Sequence, residues 1–349
     1  PLRDLRVSVT DRCNFRCAYC MPRDVYDRDH VFLPRDEILS FEEIERLVGL
    51  FATLGVEKIR LTGGEPLLRQ GVADLVDRIS AVDGIKDVAI TTNGSTLARH
   101  AQALAEAGLD RITVSLDAVD DARFRHAADV DFPVARVLEG IDEAKHAGLS
   151  PVKINTLVRR GLNDDALLEI AGMFRGTGHI VRFIEYMDVG SSNGWEMNDV
   201  LGADEILATI GAEWPLDRVE PNSTGEFVTR WRYRDGAGEI GVIASVTDPF
   251  CGDFSRLRLS ADGSIYTFNA SDELIRVDPQ TGATTANAGV LGPIGVNLSP
   301  KTAVDAHGRV YVSNGWASSP AGDGRLWCFD ADLTTHLFTL NLDRQNAGG

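Results

Sequence analysis

The chain has 349 residues, 44% of them apolar and 25% charged, with a formal net charge of −17. That composition describes a folded globular protein with length for about two domains. The acidity excludes a general nucleic-acid or membrane-surface role, which wants a basic face; a locally basic nucleotide pocket stays open.

No apolar run reaches transmembrane length, and no leading segment resembles a signal peptide. Five cysteines without a secretory signature predict a reducing, cytoplasmic setting. Short β-branched runs then alternate with amphipathic helices. Leu5–Val9 reads as the first strand. Ser40-Phe41-Glu42-Glu43 is a capping box opening a helix that runs to about Leu54. Strands follow at Lys58–Leu61, Asp87–Thr91, Arg111–Leu116, Val152–Val158 and His179–Tyr186. Helices fall at about Val72–Val82, Ala98–Ala107, Val134–Ala147 and Asp165–Met173, with Gly108 and Gly148 as stops. Six strand–helix units predict a parallel sheet, either doubly wound or a partial barrel. Active sites in both lie at the carboxyl ends of the strands.

A further helix is expected over Gly202–Ile210. Phe227–Tyr233 and Glu239–Ser245, joined by Asp235-Gly236-Ala237-Gly238, read as an antiparallel pair covering the open side of the sheet. Near Asp262 the composition turns to Gly, Asn, Thr and Asp with short aromatic strands. Gly263-Ser264-Ile265-Tyr266-Thr267-Phe268 is echoed by Gly308-Arg309-Val310-Tyr311-Val312-Ser313, so Tyr266 and Tyr311 stand 45 residues apart. That is the period of a propeller blade, and residues 263–349 resemble NHL or quinoprotein-type propeller sequence. Two repeats are too few to close a propeller. The division expected is residues 1–200, 201–262 and 263–349.

The chemistry concentrates in Thr10-Asp11-Arg12-Cys13-Asn14-Phe15-Arg16-Cys17-Ala18-Tyr19-Cys20-Met21-Pro22. Three thiolates at Cys-x3-Cys-x2-Cys spacing can hold three corners of a cubane iron–sulfur cluster and leave the fourth iron open. Cys17 and Cys20 alone would also suit a redox dithiol or half a zinc site. Zinc would want a fourth ligand, usually from a second close pair, and none exists in the chain.

This stretch resembles the cluster loop of radical S-adenosylmethionine enzymes, most closely the GTP 3',8-cyclases of molybdenum cofactor biosynthesis, over about residues 1–267. The resemblance selects the partial six-unit, TIM-like barrel; the β-rich C-terminal extension is the stretch beyond the change in composition near Asp262. It implies that Cys13, Cys17 and Cys20 hold a [4Fe-4S] cluster. Tyr19, Gly64 (in Gly63-Gly64-Glu65-Pro66), Ser115 and Met187 match positions that hold S-adenosylmethionine. Arg6, Arg60, Thr91, Lys153, Arg182, Arg256 and Arg258 match positions that hold GTP. Singly, each of these cations is more often a surface or ion-paired residue; together, near one mouth, they suit a triphosphate. The implied reaction takes hydrogen from ribose C3' of GTP and closes that carbon onto guanine C8, giving (8S)-3',8-cyclo-7,8-dihydroguanosine 5'-triphosphate. The implied partners are GTP and an electron donor, with no nucleic-acid polymer and no membrane; a homodimer is allowed.

The family also carries a second cluster on Cys-x2-Cys-x13-Cys. Here Cys251 is present, but Phe254 and Phe268 stand at the other two positions. One thiolate does not hold a cubane, so a single cluster is expected and GTP turnover should be impaired or lost. The alternatives are a radical enzyme with another substrate and an inactive fusion with a propeller-type binding module.

Overall fold

The computed structural model describes residues 3–187, 194–221, 228–248 and 256–261, together with the backbone of strands lying between residues 265 and 341. Six strand–helix units come first. Strand β1 (Asp4–Ser8) leads to α1 (Phe41–Thr53), β2 (Lys58–Thr62) to α2 (Val72–Ser80), and β3 (Asp87–Thr92) to α3 (Leu97–Glu106). Strand β4 (Arg111–Ser115) is followed by α4 (Asp121–Ala128) and α5 (Val134–His146). Then come β5 (Lys153–Val158), α6 (Leu167–Phe174), β6 (Ile180–Glu185) and α7 (Ala203–Glu213). Strands β1 to β6 pair in parallel in sequence order. This is the α/β fold expected of a partial barrel.

The local causes are legible. In α1 the Ser40 hydroxyl accepts from the Glu43 N–H, and the Glu43 carboxylate accepts from the Ser40 N–H, the reciprocal capping box. Glycines 108 and 148, both near φ +90°, turn the chain out of α3 and α5 at little steric cost. The strands alternate with period two. Leu5, Val7, Ile59, Leu61, Ile154, Val181 and Phe183 are buried in one core with Ile44, Leu47, Leu75, Ile79, Leu104, Val137 and Ile170 of the helices. The intervening residues Arg6, Arg60, Lys153, Asn155 and Arg182 are only partly buried and share the opposite, inner face.

Several features depart from the expectation. Helix α4 was not anticipated, and neither was β7 (Leu216–Val219). The expected helix at Asp165 begins as a 3-10 turn, Asp164–Ala166, before α6. The expected antiparallel pair is present as β8 (Thr229–Tyr233) and β9 (Glu239–Ile243). It extends the sheet edge, with β9 parallel to β6. On the other edge β10 (Arg256–Leu259) runs parallel to β1. The sheet does not break at residue 262, since β11 (Ile265–Phe268), β12 (Glu273–Val277) and β13 (Thr284–Val290) continue it antiparallel. A separate antiparallel sheet holds β14 (Lys301–Val304), β15 (Val310–Ser313), β16 (Arg325–Phe329) and β17 (His336–Asn341) in sequence order. Among the described residues no helix is long and apolar enough to cross a membrane.

Candidate active site

The cysteine loop leaves the end of β1 and is zipped onto the turn after β2. Gly64 N–H donates to the Thr10 carbonyl and Glu65 N–H to the Arg12 carbonyl, both at 2.8 Å. A Cβ at Gly63 would meet the Thr10 oxygen at 2.4 Å, and one at Gly64 the Arg12 oxygen at 2.2 Å. Both glycines therefore make room for the backbone of the cysteine loop. Glu65 is buried and accepts from Leu67 N–H, Thr92 Oγ1 and Asn93 N–H at 3.0, 2.6 and 2.6 Å. Burial pushes its carboxyl up to about 7.

Within the loop, the Cys20 and Met21 N–H groups both donate to the Cys17 carbonyl at 2.9 Å, a turn that gathers Cys17 and Cys20. Phe15 anchors the loop, buried against Phe124 of α4 and Phe132. The Cys13 sulfur receives the Phe15 N–H at 3.5 Å and Asn93 Nδ2 at 3.7 Å. Burial raises the Cys13 thiol, and those two donors partly offset it. Burial raises Cys17 further, with the charges of Asp117, Cys20 and Cys13 adding to the shift. Cys20 is the most exposed of the three. The thiols are near enough to oppose one another's ionisation.

Tyr19 turns from this loop toward the end of β4 and donates its hydroxyl to Asp117 at 2.7 Å. Asp117 also accepts from Leu157 N–H at 2.9 Å, and burial pushes its carboxyl up to about 6. A small hollow is lined by Cys17, Tyr19, Asn93, Ser115, Asp117, Phe15 and the Phe124, Ala127 and Ala128 face of α4. It brings together Cys17, Tyr19 and Ser115 of the expected set. Gly64 lies behind the cysteine loop, and Met187 follows the end of β6. That end is held by Glu185, fully buried, whose carboxylate accepts from Ala203, Val246 and Thr247 N–H and from the Thr247 hydroxyl.

Arg6, Arg60, Lys153 and Arg182 lie on the inner face. In the strand register Arg258, Arg6 and Arg60 stand directly beside one another on β10, β1 and β2. Arg256 is opposite Asp4. Arg60 Nη1 donates to Thr91 and Thr113 hydroxyls at 3.2 and 3.3 Å. Lys153 is the register partner of Thr113, and Arg182 of Asn155. Arg111 at the opposite strand ends is paired with Asp87. The face is locally cationic in a chain of net charge −17. Cys251 and Phe254 lie outside the described residues. Cys328 lies on β16, in the sheet that does not contain β10.

Two family models match the sequence, the Radical SAM superfamily over residues 7–174 and Molybdenum Cofactor Synthesis C over residues 179–280. A GTP 3',8-cyclase from Acidothermus cellulolyticus is 56% identical over 267 residues, covering 76% of this chain and 74% of that protein. One from Xanthomonas axonopodis pv. citri is 51% identical over 267 residues, covering 76% and 80%. The chain belongs to the GTP 3',8-cyclase family. Among solved structures, Streptococcus suis SuiB bound to S-adenosylmethionine superposes with a TM-score of 0.55 at 14% identity. The match covers 76% of this chain and 59% of that one. A tagged form of anSMEcpe with bound AdoMet gives 0.51 at 15% identity over 76% and 71% of the two chains. These two likenesses carry the fold alone.

Within this family member, sequence reasoning missed Asn93, Asp117 and Glu185. Each is a polar residue at or just past a strand end. Asp117 is 7% exposed and Glu185 fully buried. The one signal in the sequence was the position, a carboxylate or amide directly after a β-branched run, where a buried charge needs donors from elsewhere.

Proposed function

We propose that this chain binds S-adenosylmethionine on one [4Fe-4S] cluster held by Cys13, Cys17 and Cys20, and acts on GTP. The relatives named GTP 3',8-cyclase support the substrate and the reaction class. The observation that carries the reading is a three-thiol loop at the end of the strand whose Arg6 stands in register between Arg60 and Arg258.

The donor set fits the cluster. The thiols belong to one loop, and two N–H donors already aim at the Cys13 sulfur. Among the described residues no three ligands converge on a single metal ion. A cubane asks for less, since each thiolate takes a different iron. When bound and reduced, the cluster with S-adenosylmethionine supplies a 5'-deoxyadenosyl radical, using an electron from an external donor.

The chain's own residues position and shield. Tyr19, Ser115 and Asp117 line the hollow beside Cys17 and suit the nucleoside end of S-adenosylmethionine, with Met187 closing from β6. Gly64 keeps the cysteine loop seated. Arg6, Arg60, Arg256 and Arg258 hold the triphosphate through planar forks that match phosphate oxygens. Lys153, Arg182 and Thr91 complete the polar face toward the base and ribose.

The second cluster does not fit, because Phe254 and Phe268 replace two of its three cysteines. Cleavage of S-adenosylmethionine is therefore retained and cyclisation of GTP is impaired. The test is anaerobic reconstitution followed by dithionite, S-adenosylmethionine and GTP. The expected products are 5'-deoxyadenosine with little or no (8S)-3',8-cyclo-7,8-dihydroguanosine 5'-triphosphate. Absence of 5'-deoxyadenosine would count against the cluster assignment. Full cyclisation with two clusters' worth of iron would count against the single-cluster assignment. We assign the four-stranded meander of β14 to β17 to a propeller-type repeat, supported by the 45-residue echo; β11 to β13 belong instead to the sheet that carries β1 and β10. The boundary near 200 follows the end of the six strand–helix units and that at 262 the change in composition, although the sheet continues across 262; limited proteolysis tests both, and sedimentation tests the homodimer.

A further inference from the structure

The ladder between β1 and β10 ends where Val7 faces Leu259. Beyond that level the two strand ends are joined through residues of neither strand. Arg69 follows the Gly63-Gly64-Glu65-Pro66 turn. It donates Nη1 to the Val9 carbonyl at 2.6 Å and Nη2 to the Leu39 carbonyl. The Leu39 N–H donates in turn to the Ala261 carbonyl at 2.9 Å. The Arg69 guanidinium lies 4.7 Å over the ring of Phe41, the first residue of α1, which sets the plane of the fork. Val9 directly precedes the cysteine loop. Ala261 lies just past β10, whose positions 256 and 258 are arginine.

We propose that Arg69 is a positioning residue that couples the two halves of the site, linking the take-off of the cysteine loop to the end of the strand bearing Arg256 and Arg258. The chemistry favours arginine for this work. A planar fork can bond two carbonyls at once and stack on a ring, whereas a lysine ammonium is a point charge on a flexible stem. Order imposed on the cysteine loop by a cluster then reaches β10 through Val9, Arg69 and Leu39. The nucleotide consequence rests on the function proposed above; the structural link does not.

The test compares the full chain with Arg69→Gln and Arg69→Lys, each cluster-free and cluster-loaded, by amide hydrogen exchange. In the wild type, loading should slow exchange at Leu39 and across residues 256–261 by about tenfold, within the usual range of coupling between sites. In both variants that slowing should fall below about twofold, while the cysteine loop itself still slows and the iron content is unchanged. A merely structural role would lower stability without altering the response of β10 to the cluster. Calorimetry adds the nucleotide arm. Wild-type affinity for GTP should rise about fivefold on loading, and the variants should show no rise. Equal slowing of 256–261 in wild type and Arg69→Gln at matched iron content overturns the proposal, as does no slowing in the wild type. If Arg69→Gln fails to load, Arg69→Lys, which keeps the charge and can keep one of the two bonds, decides. Failure of the wild type to bind GTP counts against the nucleotide reading, and the exchange arm then decides the coupling alone.

Discussion

Replacing Glu185 by glutamine tests how the end of β6 is held to the start of α7 and to the segment that follows β9. The carboxylate accepts four hydrogen bonds at 2.5 to 2.8 Å with no solvent exposure. One oxygen takes Ala203 N–H, at the amino end of α7, and the Thr247 hydroxyl. The other takes Val246 N–H and Thr247 N–H. Glutamine keeps one acceptor oxygen and puts an NH2 group in place of the other. Its better orientation keeps the oxygen on Val246 and Thr247 and turns the amide toward Ala203. The Thr247 hydroxyl can reverse and accept; the Ala203 N–H cannot. One buried donor is left facing another, at about 1–3 kcal/mol, and the charge that strengthened the remaining bonds is gone, at about 1 kcal/mol each. Loss of the favourable charge at the α7 amino end adds about 0.5 kcal/mol. The expected loss is about 3.5–5.5 kcal/mol, a large part of the stability of an ordinary domain. Urea unfolding followed by tryptophan fluorescence measures it. A Thr247→Val variant should cost clearly less in the Glu185→Gln background than in the wild type, because both act on one network. A loss below about 1 kcal/mol, or simple additivity, would refute the reasoning.

Three further outcomes follow from the site. Gly64→Ala should abolish cluster loading, since its Cβ would sit 2.2 Å from the Arg12 carbonyl oxygen; iron content and the visible absorption of reconstituted protein check this. Glu65 is held up to about 7 against an ordinary 4.5, so the folded cluster-free protein binds that proton more tightly than the unfolded chain. The resulting stabilisation is complete below the unfolded value and is lost as pH rises through about 7, a total of about 3 kcal/mol. Glu65→Gln should flatten that part of the pH dependence of the urea midpoint, and an unchanged slope would exclude Glu65 as its source. Arg60→Ala should weaken GTP binding about tenfold, some 1.4 kcal/mol, by removing one charged donor from the row, while Arg111→Ala, whose guanidinium is paired with Asp87, should leave affinity within about twofold.

Much of the barrel was legible because local signals and the global fold agree there. The alternation in Leu5, Arg6 and Val7 divides core from inner face, and the same parity puts Arg6, Arg60, Lys153 and Arg182 on one side. Helix α4 was hidden because Asp121–Ala128 buries only Phe124, Ala127 and Ala128, too few apolar positions to make a stripe. Strand β10 carries two arginines between leucines, and its place beside β1 depends on a pairing across the length of the barrel, Arg6 with Arg258. Asp117 and Glu185 are invisible for a related reason. Their partners, Tyr19 and Leu157 for one, Ala203 and Thr247 for the other, lie far away in the chain.

The Gly63-Gly64 pair has a structural cause of its own beside the one the resemblance implies. The resemblance attaches these glycines to the cofactor, and their usual physical account is space for a ligand. Here the space is taken by the carbonyls of Thr10 and Arg12, at distances no Cβ could tolerate. The turn after β2 is thus the seat on which the cysteine loop closes, and Glu65 locks it by accepting from Thr92 and Asn93 at the end of β3. Asn93 then reaches back to the Cys13 sulfur. Three consecutive strand ends are joined in this way before any cofactor is bound. The order of the cysteine loop is therefore set by main-chain contacts that a substitution at Gly64 would break and a substitution at Ser115 would not.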